Sequence, residues 1–278
     1  MDELLIEILC NMKKDYESAI INGGQKEVHS LIRSQNLINY IHNYIKEKLI
    51  LEGVNENNIF PPLNLQKPEI KMSGFLKTKY QDITIFGSDK KEEIIENGVL
   101  RGNIDPISTH TMNHSISINI RSQLSSLAKN FDTLFERTFA EALNLHSRAP
   151  KLVMGEVYMI PIIAYDPEKI KQHKIGWKEP LPINKYIPAF KSLNNRTDIT
   201  TDYYKYERVA LLIIDFRDEI PKEFTSSKQL VKEGLIDDEM KEYYSLENLT
   251  TSDFVEDILK CYKNRHGSID LLKESHFD

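Results

Sequence analysis

Two acidic residues stand where acids are disfavoured, and each raises the question of what it binds. Asp82 lies in the β-patterned run "YQDITIFG", on the same face as Thr84 and opposite Ile83 and Ile85. A carboxylate there faces water, a cation or a ligand, or it marks a strand end on a solvated face. Glu141 lies in "RTFAEALNLH", seven residues after Leu134. Seven helical steps bring a side chain back to within about 20° of its starting direction, so Glu141 points along an apolar stripe while Asp132 and Glu136 point away from it. Such a glutamate needs a partner: a divalent metal, an arginine or a lysine, or the other half of a structural ion pair.

Between the two acids runs "HSISINIRSQ", in which Ile116, Ile118 and Ile120 alternate with Ser115, Ser117, Asn119, Arg121 and Gln123. Period-two geometry gives this strand one face for a core and one polar face. If Asp82, the polar face and Glu141 converge, two carboxylates share a cleft that suits Mg2+, a hard ion that takes oxygen ligands. Such an ion activates water and neutralises charge during phosphodiester attack.

The elements that must position these groups are readable from periodicity. Residues 1–52 predict two helices with Gly23-Gly24 as punctuation, and residues 53–70 a Pro- and Asn-rich loop. From 72 to 123 the pattern is an antiparallel meander that includes "EEIIENGVLRG" with its Asn-Gly turn signal. A helix over Leu124–His146 follows, with Leu127, Phe131, Leu134, Thr138, Ala142 and Leu145 along one stripe. "KLVMGEVYMIPIIAY" and "ERVALLIIDF" read as strands buried on both faces. The tail, 217–278, reads as helices, with Gly234 as a stop and Asp253-x-x-Glu256 as a capping-box start. The chain is thus expected to be one α/β domain over 1–278, with N-terminal helices (1–52), a core (72–216) built on a mixed central sheet with an antiparallel meander, and C-terminal helices.

A chain of 278 residues that is 40% hydrophobic can bury a full core. Cys10 and Cys261 lie far apart without metal-type spacing, which argues against a disulfide scaffold or a zinc site. No apolar run reaches the length of a membrane span, and the N-terminus lacks a basic segment with a cleavage site, so a soluble cytoplasmic protein without membrane contact is expected. The net charge of −6 is carried by residues 216–278, with 9 Lys and Arg against 15 Asp and Glu, whereas residues 71–151 hold 11 against 9 and leave room for a basic cleft. His110-x-x-x-His114 does not look helical and has no third ligand, which sets it aside as a metal site. Tyr203, Tyr204 and Tyr206 read as packing. Asp215 reads as the exposed end of a strand.

The runs "SISINIRSQ", "EALNLH" and "PKLVMGEVYMIP" resemble the core of the PD-(D/E)XK nucleases. They resemble most the type II restriction endonucleases that recognise CCGG-containing sites, in which the second active-site carboxylate has moved from a strand to a helix. The resemblance spans roughly residues 80–163. It implies a restriction-endonuclease-like core, Mg2+-dependent site-specific hydrolysis of double-stranded DNA, and a homodimer or homotetramer matching palindromic sites. Asp82 and Glu141 would be its metal carboxylates, joined by an acid from an N-terminal helix, Glu47 or Glu27. Arg121 would read guanine, with Asn119 and Gln123 beside it at the bases. Two departures stand out. Ser117 occupies the place of the family's catalytic lysine, leaving Lys79, Lys129 or Arg121 to supply a cation, and in the superfamily's generic register Asn119-x-Arg121 takes the carboxylate and lysine positions. Gln123 replaces an aspartate that would accept from cytosine, and glutamine suits adenine. A DNA-binding homologue without hydrolysis, and a protein-interaction module, are the alternatives.

Overall fold

A computed structural model describes residues 2–87, 91–124, 127–267 and 271–272, with the side chains of 127–130 outside the description. The chain opens with α1 (Glu3–Arg33) and α2 (Asn36–Leu51). The Gly-Gly pair interrupts the first helix, as its punctuation predicts: Gly24 adopts the non-helical φ 57° and ψ −145°, so α1 is two helical stretches meeting at a kink, and a second break follows at Gln35, in the left-handed region with φ 63°.

Three strands then form an antiparallel run: β1 (Ile59–Phe60), β4 (Ile83–Ile85) and β7 (Ile116–Ser122). The segments between them fold as separate ribbons. One joins β2 (Ile70–Ser73) to β3 (Thr78–Gln81), and the other joins β5 (Glu93–Ile94) to β6 (Ile104–Asp105). The Asn-Gly signal therefore marks a small outlying hairpin and not a member of the meander. Between this hairpin and β7, α3 (Thr109–Asn113) makes the His110–His114 segment helical after all, because Ser108 caps it by accepting from Thr111 N.

The crossover helix α4 (Leu127–His146) carries the chain from β7 to β8 (Val153–Pro161), which lies parallel to β7. After β9 (Ile163–Tyr165), α5 (Pro167–Lys171), β10 (Trp177–Pro180) and α6 (Ile183–Leu193), the chain enters β11 (Arg208–Asp215), parallel to β8. An edge strand, β12 (Lys222–Phe224), pairs antiparallel with it, so the tail contributes to the sheet before α7 (Ser227–Lys232) and α8 (Phe254–His266). Gly234 adopts φ 68° two residues past α7, as a helix stop requires. Asp253 precedes α8 but makes no side-chain cap, so the expected capping box is absent.

The result is an α/β fold around a mixed six-stranded sheet in the order β1-β4-β7-β8-β11-β12. The inner strands β8 and β11 are buried along their whole length, as their apolar runs predict. One apolar cluster fills the face that carries Ile83, Ile85, Ile116, Ile118 and Ile120, covered by α1, α2 and α8. The other fills the opposite face with Met154, Tyr158, Leu211 and Ile213, covered by α4 and α6. Period-two alternation thus places Ser117, Asn119 and Arg121 beneath α4. No helix among the described residues is long and apolar enough to cross a membrane.

Candidate functional site

On the α4 side of β7 lies a cluster of charged groups contributed by four elements. Glu141 projects inward from α4 and is 4% exposed. Its Oε2 accepts from Lys79 Nζ of β3 at 2.7 Å and from Arg121 Nη2 of β7 at 2.8 Å, and its Oε1 accepts from Gln81 Nε2 at 3.5 Å. Ser117, in turn, donates its hydroxyl to Gln81 Oε1 at 2.9 Å. The apolar stripe of α4 explains the inward turn: Phe131, Thr138, Ala142 and Leu145 are buried on the same side.

Arg121 also donates from Nε to Glu156 Oε1 at 2.7 Å. Glu156 is on β8, directly across from Asn119 in the parallel register, and is fully buried. Among the described residues its Oε2 has no hydrogen-bond partner. Beneath the arginine, Tyr206 is buried and donates its hydroxyl to Thr138 O at 2.7 Å. Asp82, between β3 and β4, accepts from Ile120 N at 2.8 Å, so it sits at the Arg121 end of β7.

The electrostatics follow from three acids sharing two cations. Burial pushes the Asp82 carboxyl up to about 6, against the pull of the Ile120 N–H and Arg121, while the charges of Glu141 and Glu69 push further upward. Burial pushes Glu156 up to about 8, with Arg121 opposing and Glu141 and Asp82 reinforcing the rise. Burial works against the charge of Arg121, but Glu156, Tyr206 and Glu141 overcome it and hold the guanidinium proton more firmly than usual. Asp82, Glu141 and Glu156 outnumber Lys79 and Arg121, and two of these acids hold protons more tightly than normal. Burial is the largest cause for both, and a Glu156 that keeps its proton near neutral pH leaves two carboxylates, Asp82 and Glu141, against two cations, Lys79 and Arg121.

The structure therefore brings Asp82, Glu141, Ser117, Arg121, Lys79 and Asn119 into one neighbourhood. Lys129 lies outside the residues whose side chains are described. Glu47 sits on α2 and Glu27 on α1, helices that cover the opposite, isoleucine face, and neither makes a hydrogen bond or ion pair to the cluster among the described residues. The further acid whose charge reaches Asp82 is Glu69. Gln123 is turned inward: its Oε1 accepts from Tyr158 and Tyr186 at 2.9 and 3.4 Å, and it is buried, so it presents no edge to a base. Asn119 is buried as well, and the guanidinium of Arg121 is turned onto Glu141 and Glu156.

Glu156 carries a signal of its own in the sequence. It is a lone carboxylate in the middle of "KLVMGEVYMIP", and a charge in a strand buried on both faces needs a partner on the neighbouring strand. Tyr206 was legible only as an apolar ring. Outside the cluster, Asp215 is buried and clamped by Arg217 Nη2 at 2.7 Å, a strand-end ion pair rather than an exposed end.

A hard divalent cation takes oxygen ligands, and those the cluster would offer come from its acids. The available ligands are carboxylate oxygens, Asp82 keeps Oδ1 without a hydrogen bond among the described residues, and the orphaned Glu156 oxygen lies in the same cluster. Among the described residues, no three His, Cys, Asp or Glu side chains already stand in a metal-binding array. No family model, curated protein or solved structure matches this chain. The class defined by the fold is α/β with a mixed central sheet, and the site is defined by its own residues.

Proposed function

We propose that the protein is a Mg2+-dependent endonuclease acting on double-stranded DNA, of the restriction-endonuclease type its sequence resembles. The observation that carries this reading is the meeting of Asp82, from the end of a meander strand, with Glu141, from the crossover helix, around Arg121 and a lysine. That lysine is Lys79. It reaches Glu141 from β3, on the polar face where Ser117 leaves the family's lysine position empty of charge. In this reading Asp82 and Glu141 hold the metal, and bound Mg2+ supplies water activation and charge neutralisation at the scissile phosphate. Lys79 holds positive charge where negative charge develops. Gln81 and Ser117 orient Glu141 through their hydrogen-bond chain, and Arg121 is fixed by Glu156 as a cation of the site rather than a reader of bases.

The test is cleavage of supercoiled plasmid and unmethylated genomic DNA in Mg2+ against EDTA. Asp82→Asn and Glu141→Gln each abolish cleavage, while Lys79→Ala lowers it by roughly 100- to 1,000-fold. In the Lys79→Ala background, Ser117→Lys restores part of the rate by returning the cation from the neighbouring strand. Absence of Mg2+-dependent cleavage on any of these substrates overturns the assignment. One observation favours a second reading, a DNA-binding homologue without hydrolysis: both cations are already neutralised by Glu141 and Glu156. That reading predicts salt-dependent duplex binding without cleavage, and nicking gained by Ser117→Lys alone.

A further inference from the structure

The ribbon β2–β3 is not explained by the charge cluster alone. From Ile70 to Gln81 it carries Lys71, Lys77 and Lys79 and no acid, within a chain of net charge −6. Lys71 and Tyr80 face each other across the ladder on its outward side, with Lys71 Nζ 5.8 Å from the Tyr80 ring centroid, and Tyr80 is 61% exposed. Lys71 and Lys77 form no ion pair among the described residues. At the tip, Phe75 and Leu76 are 49% and 55% exposed.

This apolar tip is not loose. Asn144, one helical turn beyond Glu141 on α4, accepts from Leu76 N and Lys77 N at 2.8 and 3.1 Å and donates to Lys77 O at 3.0 Å. Its own carbonyl accepts from Phe75 N at 2.7 Å. The backbone approaches so closely that a Cβ on Gly74 would lie 2.1 Å from Asn144 Nδ2. A buried amide on the helix that carries Glu141 thus holds two apolar side chains out in solvent. Beyond Phe75, an open groove of about 730 Å³ runs to Ile94 and Glu93 of the neighbouring ribbon. Glu93 there is engaged by Arg148 and Thr109.

We propose that the β2–β3 ribbon is a duplex-DNA contact, with Phe75 and Leu76 wedged against base steps and Lys71 and Lys77 on flanking phosphates. A two-stranded ribbon fits a DNA groove, and apolar side chains at a rigid tip unstack base steps. The ribbon's lysines complement a polyanion. Its third lysine, Lys79, lies on the other face and ties the ribbon to Glu141, so the outward lysines and the acids are carried by one rigid element. The proposal rests on the nuclease reading and extends it to how the substrate is held.

The experiment measures anisotropy of a labelled duplex of about 20 base pairs with the full chain, in Ca2+ to hold cleavage in check, across a salt series. Phe75→Ala with Leu76→Ala weakens affinity about tenfold and removes the fluorescence rise of 2-aminopurine placed at the wedge step. Lys71→Ala with Lys77→Ala lowers the slope of log affinity against log salt by about 2. These side chains are exposed, and an unchanged melting temperature checks that each variant is folded. If the unaltered chain binds and cuts DNA while both variants match it, the ribbon proposal fails and the nuclease reading stands. If the unaltered chain binds no DNA, both fail. If the tip variants change only the sedimentation of the protein, the tip is a contact between copies and the proposal is overturned.

Discussion

At the scale of single residues, the site is governed by the burial of ionisable groups. Glu156 is the clearest reporter, because it is fully buried and burial pushes its carboxyl from 4.5 to about 8. In the folded chain it keeps its proton to a higher pH than in the unfolded chain. Below about pH 4.5 both states are protonated and its contribution to stability is complete; as pH rises toward 8 the unfolded chain loses the proton first, and that contribution is progressively lost. Glu156→Gln has no proton to lose, so the difference in unfolding free energy between the original chain and the variant falls with pH, at up to about 1.4 kcal/mol per pH unit. Urea midpoints measured from about pH 5 to about pH 8.5 check this, and parallel curves for the two proteins would refute it. The acids at 82 and 141 were legible because each violates a local rule: aspartate in a β-run, glutamate on an apolar stripe. Gln81 was not, since its hydrogen bonds to Ser117 and Glu141 depend on a strand pairing that its neighbours do not encode.

At the scale of elements, hydrophobic period carried most of the information and hairpin signals misled. β7, β8 and β11 follow from alternation and from unbroken apolar runs, and α4 from its stripe. The error lay in counting "EEIIENGVLRG" as a sheet strand: its turn chemistry is local, while membership in the sheet depends on which edge remains open once β4 and β7 have paired. Gly23-Gly24 was legible as punctuation: Gly24 leaves the helical region and separates two helical stretches of α1, although the apolar face continues on both sides of it. Asn144 is the opposite case, a residue whose role appears only in three dimensions. Asn144→Ala removes three side-chain hydrogen bonds at the ribbon tip and leaves the N–H groups of Leu76 and Lys77 without their acceptor. The expected cost is about 1–3 kcal/mol, read from the urea midpoint, with faster amide exchange confined to residues 74–78. Exchange that spreads through α4 instead would show that the amide supports the helix and not the tip.

At the scale of the whole molecule, the sheet is clamped between two apolar layers, and the layers are tied together at one end by a buried acid. Glu207, just before β11, accepts from Met154 N of β8 at 2.7 Å and from Arg196 Nη1 at 3.0 Å, and pairs with Arg265 Nη2 of α8 at 2.8 Å. Its carboxylate therefore joins the inner strands, the segment leading into β11, and the C-terminal helix that covers the isoleucine face. Removing it leaves two guanidinium groups facing one another with little solvent. Glu207→Ala should cost about 3–5 kcal/mol, because breaking one side of a buried pair strands the other charge. Asp132→Ala removes the partner of Lys185, an ion pair on the surface of α4, and should cost at most about 1 kcal/mol. The two measured side by side in urea separate a clamp from a decoration. Glu207→Gln sharpens the comparison: it keeps the hydrogen bond to Met154 N and loses the charge, so a loss close to that of alanine assigns the clamp to the two arginines, and a small loss assigns it to the strand.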